Sequence, residues 1–91
     1  MKFEWDTRKA LSNVKKHGIA FHEAATVFAD PLSYVAADPD HSDDEERFLI
    51  LGISCEHRLL VVAHAERNDV IRIISAREAT KKERVFYEEY S

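Results

Sequence analysis

Cysteine, glycine, proline and long apolar runs are all scarce in this chain of 91 residues. The one cysteine, Cys55, cannot close an internal disulfide, and a single thiol rules out zinc-ribbon and zinc-finger spacings, so a cytoplasmic protein is expected. The longest purely apolar run is Leu59 to Ala63, and the amino-terminal MKFEWDTRK is charged from its second residue. Neither a transmembrane helix nor a signal peptide is expected from such segments. With two Gly, two Pro and 45% hydrophobic residues, disorder is excluded outside one segment. The length suits one small domain, 1–91, that buries roughly 64% of the surface of the extended chain. Such a domain folds alone only marginally, and a partner covering apolar surface would help it.

An excess of cations is also lacking. Thirteen Lys and Arg stand against 17 Asp and Glu, a net charge of −4, which on its face argues against a nucleic-acid binder. The balance is uneven along the chain, however. Residues 1–20 carry Lys2, Arg8, Lys9, Lys15 and Lys16 against Glu4 and Asp6, whereas 21–46 carry eight acids and no Lys or Arg. Residues 47–91 carry eight bases and seven acids, so all the net acidity belongs to the middle segment and the remainder is basic. Within that segment DPDHSDDEE (38–46) reads as a solvated loop. It has oxygens enough for calcium but lacks the glycine and the terminal Glu of an EF-hand, so no metal site is assigned there.

What is present reads as an α+β domain. Phe3 to Trp5 is a short strand, Asp6 or Thr7 an N-cap, and Arg8 to His17 a helix stopped by Gly18. Phe21, Ala24, Ala25 and Phe28 repeat at helical spacing in a second helix that ends before Asp30-Pro31. Strands follow at Leu32 to Ala36, Arg47 to Ser54, Arg58 to Ala65 and Val70 to Ala76. Ala79 to Tyr90 closes the chain as a charged helix, with Thr80 as N-cap and Glu83 as its capping-box partner. The expected order is β-α-α-β-β-β-α, with a short, mainly antiparallel sheet, two N-terminal helices and one C-terminal helix.

Hairpin register assigns side chains to faces. A two-residue turn at Asn68-Asp69 sets Glu66 opposite Ile71, His64 opposite Ile73, Val62 opposite Ser75 and Leu60 opposite Arg77. A two-residue turn at Glu56-His57 sets Arg47 opposite Glu66 and Leu49 opposite His64. One face then carries Arg47, His64, Glu66 and Arg77 among aliphatic residues, and the other carries Arg67 and Arg72. A three-residue turn at either place would flip one strand and void these pairings.

The chain resembles the BrnT toxins of bacterial and archaeal toxin–antitoxin systems. The resemblance lies in FEWD (3–6), N-x-x-K-H-G-x-x-F-x-x-A (Asn13, Lys16, His17, Gly18, Phe21, Ala24), R-F-L-I-L-G (47–52) and R-I-I-S-A-R-x-A-x-x-x-E-x-x-x-Y (72–87), in that order and spacing. It implies a compact RelE-like fold and a ribonuclease that inhibits translation. It also implies a hetero-oligomer with a BrnA-like antitoxin of the ribbon-helix-helix type, which would be the chain's link to DNA. No cofactor and no membrane partner are expected.

The residues suit metal-independent RNA cleavage, which needs a base for the 2′-hydroxyl, an acid for the leaving oxygen and cations for the charge growing on phosphorus. Arginine supplies a permanent charge in a fork geometry, and histidine supplies acid–base chemistry near neutral pH. Arg47, His64, Arg67 and Arg77 are the catalytic candidates, and Arg72, Lys16, His17, Lys81 and Lys82 the RNA-binding ones. Each has a structural reading too. Arg72 is a snorkelling strand stem, Arg77 a group that satisfies carbonyls or pairs with an acid at a strand-to-helix junction, His64 an exposed strand-end histidine or a satisfied core histidine, and Arg67 a solvated turn residue. Arg47 with Glu66 is a cross-strand ion pair. Lys16 and His17 favour the negative end of a helix dipole, while Lys81 and Lys82 interleave with acids on a solvated helix. The alternative function is a non-catalytic module, or a corepressor, that binds such an antitoxin.

Overall fold

The computed structural model describes residues 1–39 and 46–90. Most of the acidic segment, 40–45, therefore lies outside the described residues. Strand β1 (Lys2–Glu4) is followed by helices α1 (Thr7–His17) and α2 (Phe21–Thr26), the latter running into a 3-10 turn at Val27–Ala29. Strands β2 (Tyr34–Ala37), β3 (Arg47–Ile53), β4 (Leu59–Arg67) and β5 (Val70–Glu78) come next, and α3 (Lys81–Tyr90) closes the chain. Four strands thus separate α2 from α3, one for each segment read as a strand, so the expected order β-α-α-β-β-β-α is one strand short. The first of them, β2, begins at Tyr34 instead of Leu32, and all four of its residues are exposed.

Local chemistry accounts for the helix ends. Asp6 Oδ1 accepts hydrogen bonds from the backbone N–H groups of Arg8 (2.8 Å) and Lys9 (3.1 Å), occupying donors that the first turn leaves free. Those bonds, Lys9 first, hold the Asp6 carboxyl below its usual range. Gly18 ends α1 at φ 70°, a left-handed conformation that costs a glycine little, and its N–H returns to Val14 O at 2.9 Å. At α3, Thr80 and Glu83 form the reciprocal capping box: Glu83 Oε1 accepts from Thr80 N at 2.8 Å and Thr80 Oγ1 accepts from Glu83 N at 3.2 Å.

The sheet runs in the order β1-β5-β4-β3-β2, with β1 parallel to β5 and every other pair antiparallel. Two departures from the expected register decide where the charges fall. The first is the β3–β4 turn, which spans three residues, Cys55 to His57. It is closed by Ser54 N to Arg58 O at 2.8 Å, with His57 at φ 63°. Arg47 therefore faces Ala65 instead of Glu66, and Leu49 faces Ala63 instead of His64.

The second departure is a bulge in β5. The Asn68-Asp69 turn has two residues, both at positive φ as a type I′ hairpin requires, and Glu66–Ile71 and His64–Ile73 pair as expected. Ser75 then faces Ala63, which leaves Ile74 as an extra residue. Beyond it Val62 faces Ala76 and Leu60 faces Glu78, so Arg77 shares its face with Val61.

Cross-strand partners share a face, and the two faces of this sheet differ. The α1/α2 side holds the larger core, with Ile19, Phe21, Ala24, Val27, Ile50, Leu60, Val62 and Ile73 at 3% exposure or less. Gly52 permits this closeness: a Cβ there would sit 2.9 Å from Val27 Cγ1. On the opposite side α3 lays Phe86 and Tyr87 over Leu51, Leu59 and Val61 and covers only that end. Asp30 fastens the arrangement, accepting from Leu32 N at 2.9 Å, Ile53 N at 2.8 Å and the Tyr87 hydroxyl at 2.5 Å. Burial raises the Asp30 carboxyl, but these three donors outweigh it and leave the group below its ordinary value. Tyr87, partly buried and facing that carboxylate, is pushed up to about 12.

Candidate nucleic-acid interface

The end of the α3-side face that the helix leaves open is where the arginines collect. Following the ladder from strand to strand, Arg47 pairs with Ala65, Ala65 with Arg72, and Arg72 with Glu4, so these four side chains form one row on one face. Arg67 lies two residues beyond Ala65 on β4, beside Val70 and Lys2, and therefore on the same face. Arg77 joins them on the far side of Ser75, because the extra Ile74 restores it to this face. Ala63 and Ala65 between them are small and buried, giving the arginines a low floor. A hollow of about 250 Å³ is lined by Glu4, Ala65, Arg67, Asn68, Val70 and Arg72.

The arginines differ in how far they are committed elsewhere. Arg72 Nη1 donates to Glu4 Oε2 at 3.1 Å, between two half-exposed side chains. Such a pair contributes little to stability and exchanges readily for another anion. Arg77 is held more firmly. Its two terminal nitrogens donate to the two carboxylate oxygens of Glu83 at 2.8 and 2.9 Å, and Nη1 also reaches Glu78 O at 3.2 Å. That fork brings the Glu83 carboxyl down to about 2, with the Thr80 bonds assisting. Arg77 thereby ties α3 to β5. Arg47 Nε is buried and, among the described residues, has no hydrogen-bond partner.

His64 is on the other face. It is fully buried, its ring packing edge-on to Phe28 at 4.8 Å and tilted against Phe48 at 5.7 Å. Nε2 lies 3.3 Å from Glu66 Oε2, while Nδ1 has no partner among the described residues. Burial pushes the imidazole below its ordinary value, only partly opposed by Glu66. Its expected place beside Arg47 and Arg77 is thus corrected: the three-residue turn and the bulge carry both arginines to the opposite face, and His64 is screened from any solute.

Lys16 and His17, both exposed at the end of α1, line a hollow of about 260 Å³ with Lys9, Ser12, Asn13, Ile74 and Ser75, along the part of β5 that β1 does not cover. Lys81 and Lys82 are exposed on the first turn of α3. Asn13 is structural. Its Nδ2 donates to Ala76 O (2.8 Å) and Ile19 O (2.9 Å), and its Oδ1 accepts from Ala76 N at 3.0 Å. The side chain thus occupies both backbone groups of Ala76 as a neighbouring strand would. Glu23 is also structural, its buried carboxylate accepting from Ser54 Oγ at 2.6 Å and Arg58 Nε at 3.0 Å and so anchoring the β3–β4 turn. The expected Arg47–Glu66 pair is absent, since register separates the two. Glu4 and Glu83, which neutralise Arg72 and Arg77, were not identified in the sequence as the partners of those arginines. The Thr80–Glu83 spacing marked one of them, but nothing local marked a parallel β1.

Among the described residues no cluster of three metal-ligating side chains occurs, and no helix is long and apolar enough to cross a membrane.

A family model described as the ribonuclease toxin, BrnT, of type II toxin–antitoxin systems matches residues 5–83. The crystal structure of the Brucella abortus ribonuclease toxin BrnT is similar, with a TM-score of 0.65 and 23% identity over 89% of this chain and 99% of that one. No curated protein matches the chain significantly in sequence.

Proposed function

The chain belongs to the BrnT family of ribonuclease toxins of type II toxin–antitoxin systems, and from that premise we propose that it cleaves RNA on its open, arginine-bearing sheet face. We read the fold as RelE-like and the cleavage as metal-independent. The consequence in the cell is inhibition of translation, held in check by a BrnA-like antitoxin of the ribbon-helix-helix type. The observation that carries this reading is the row Arg47–Ala65–Arg72, with Arg67 beside it, over a floor of alanines.

In this mechanism Arg47 and Arg72 face the scissile phosphate and stabilise the charge that grows as the 2′-oxygen attacks phosphorus to close a 2′,3′-cyclic phosphate and the 5′-oxygen departs, taking its proton from solvent water on the open face. Permanent cations in a fork geometry supply what a metal ion supplies in other nucleases. Glu4, displaced from Arg72 by the incoming phosphate, is the carboxylate on this face placed to take the 2′-hydroxyl proton. Arg67, Lys16, His17, Lys81 and Lys82 hold the flanking backbone. Arg77 acts by holding α3, and His64 by filling the core behind the face.

Expression without the antitoxin tests the reading. Growth arrest with RNA breakdown, lost in the Arg47→Ala/Arg72→Ala double variant and unaffected by chelator in vitro, is the expected result. Glu4→Gln separates the roles: RNA binding tightens by about threefold while turnover falls about tenfold or more. The commitment of Arg72 and Arg77 to carboxylates favours a second reading, a non-catalytic antitoxin-binding corepressor. A folded chain that leaves growth and RNA untouched would establish that one instead.

A further inference from the structure

Helix α1 carries cations and no acid. Arg8, Lys9, Lys15, Lys16 and His17 are its ionisable side chains, and all are exposed. The helix dipole accounts for the last three, which sit at its negative end. It works against Arg8 and Lys9 in the first turn, where acids would be favoured and none is present. The Asp6 charge at the cap offsets that of Lys9, whereas neither Arg8 nor Lys15 has an ion-pair partner among the described residues.

The same helix exposes apolar surface. Ala10 packs into the core and Asn13 is bonded to Ala76, so the stripe facing the sheet is taken. Turned away from it, Arg8, Leu11, Val14 and Lys15 recur at helical spacing, with Leu11 at 67% and Val14 at 47% exposure. Single exposed apolar side chains are ordinary on a protein surface. Here two stand one turn apart, about 5 Å along the axis, with a cation at either end.

Charge and apolarity together select the occupant. A polynucleotide would engage the cations and leave Leu11 and Val14 in water. A second copy packing α1 on α1 would double the cations at one seam, and like charges there oppose association. A partner that satisfies both features presents carboxylates around apolar side chains, and an amphipathic helix does so at the spacing that fits the ridge of another helix. We propose that the outer stripe of α1 anchors an acidic amphipathic helix of the antitoxin, whose apolar residues cover Leu11 and Val14 while its carboxylates meet Arg8 and Lys15. This rests on the toxin–antitoxin reading above. It sets the anchor on the α1/α2 side of the sheet, behind the arginine row, so that holding the antitoxin and cleaving RNA use different residues.

The affinity of the purified antitoxin for the chain and for two double variants, with RNA binding measured alongside, tests the proposal. Arg8→Glu/Lys15→Glu reverses the flanking charges, and Leu11→Ala/Val14→Ala removes the apolar ridge while keeping helix propensity. Each is expected to weaken the complex about tenfold or more and to leave RNA cleavage by the free chain unchanged. Added salt is expected to weaken the unmodified complex and to change that of the charge-reversed variant far less. Antitoxin binding in both variants as tight as in the unmodified chain, a loss confined to RNA binding, or a homodimer formed through α1 would overturn it. An unmodified chain that binds no antitoxin removes the toxin–antitoxin reading and the proposal with it, a result distinct from variants that bind normally.

Discussion

The two faces of the sheet are built from the same four antiparallel strands and serve opposite ends. On the α1/α2 side the centre of the sheet is apolar apart from His64, which is fully enclosed, while Glu66 and Glu23 lie toward its rim. On the α3 side a smaller apolar patch under Phe86 and Tyr87 gives way to arginines over alanine. Stability is concentrated on the closed side, and the open side holds ionic groups that a small domain gains little stability from keeping.

Substitutions on each side put that contrast at risk. The largest effect is expected from Leu60→Ala in the closed core, a loss of about 2–5 kcal/mol in urea unfolding, because the cavity there cannot collapse. On the open side Arg47→Ala or Arg72→Ala is expected to lower RNA cleavage about 100-fold while moving stability by less than about 0.5 kcal/mol. If the stability losses were equal on the two sides, the division of labour would be wrong.

A smaller effect joins the faces at their boundary. The Glu83 carboxyl titrates near 2 in the folded chain against 4.5 for the free group, so the Arg77–Glu83 fork stabilises fully above about 4.5 and is lost as pH falls toward 2. Both side chains are partly exposed, so Glu83→Gln is expected to cost about 1 kcal/mol at neutral pH and to flatten the acid limb of the unfolding curve. The smallest effect concerns His64. Its folded value lies below the ordinary 6.5, so the unfolded chain binds the proton first and stability falls as pH drops below 6.5. His64→Leu is expected to remove that slope in a series of urea midpoints measured against pH, leaving cleavage by the open face in place.

Legibility in the sequence followed how local each signal was. The caps at Asp6, Gly18 and Thr80–Glu83 and the Asn68-Asp69 turn involve residues within a few positions of one another, and each occurs as the pattern indicates. The arginines could be picked out by type, but their convergence could not. It depends on one residue more in the 55–57 turn and one more at Ile74, and neither addition leaves a compositional mark. Hairpin alternation is a parity argument, so one unseen residue moves every side chain beyond it to the other face. That is why Arg77 and Arg72 were assigned to opposite sides, and His64 to the side of Arg47. The parallel β1–β5 contact is equally silent, since it spans only three residues, and β2 was legible as a strand but not as an edge, since none of its side chains is buried.

The position of β1 beside β5 also governs when the open face can exist. Glu4 and Arg72 are 68 residues apart along the chain, and the arginine row crosses β3, β4 and β5 before it reaches β1. A chain emerging from the ribosome amino end first can form α1 and α2 early, but it cannot align Arg47, Arg72 and Glu4 until β5 has been synthesised and released from the exit tunnel. The open face is thus among the last parts of the molecule to assemble, and a chain cut short before β5 carries Arg47 without the row that surrounds it.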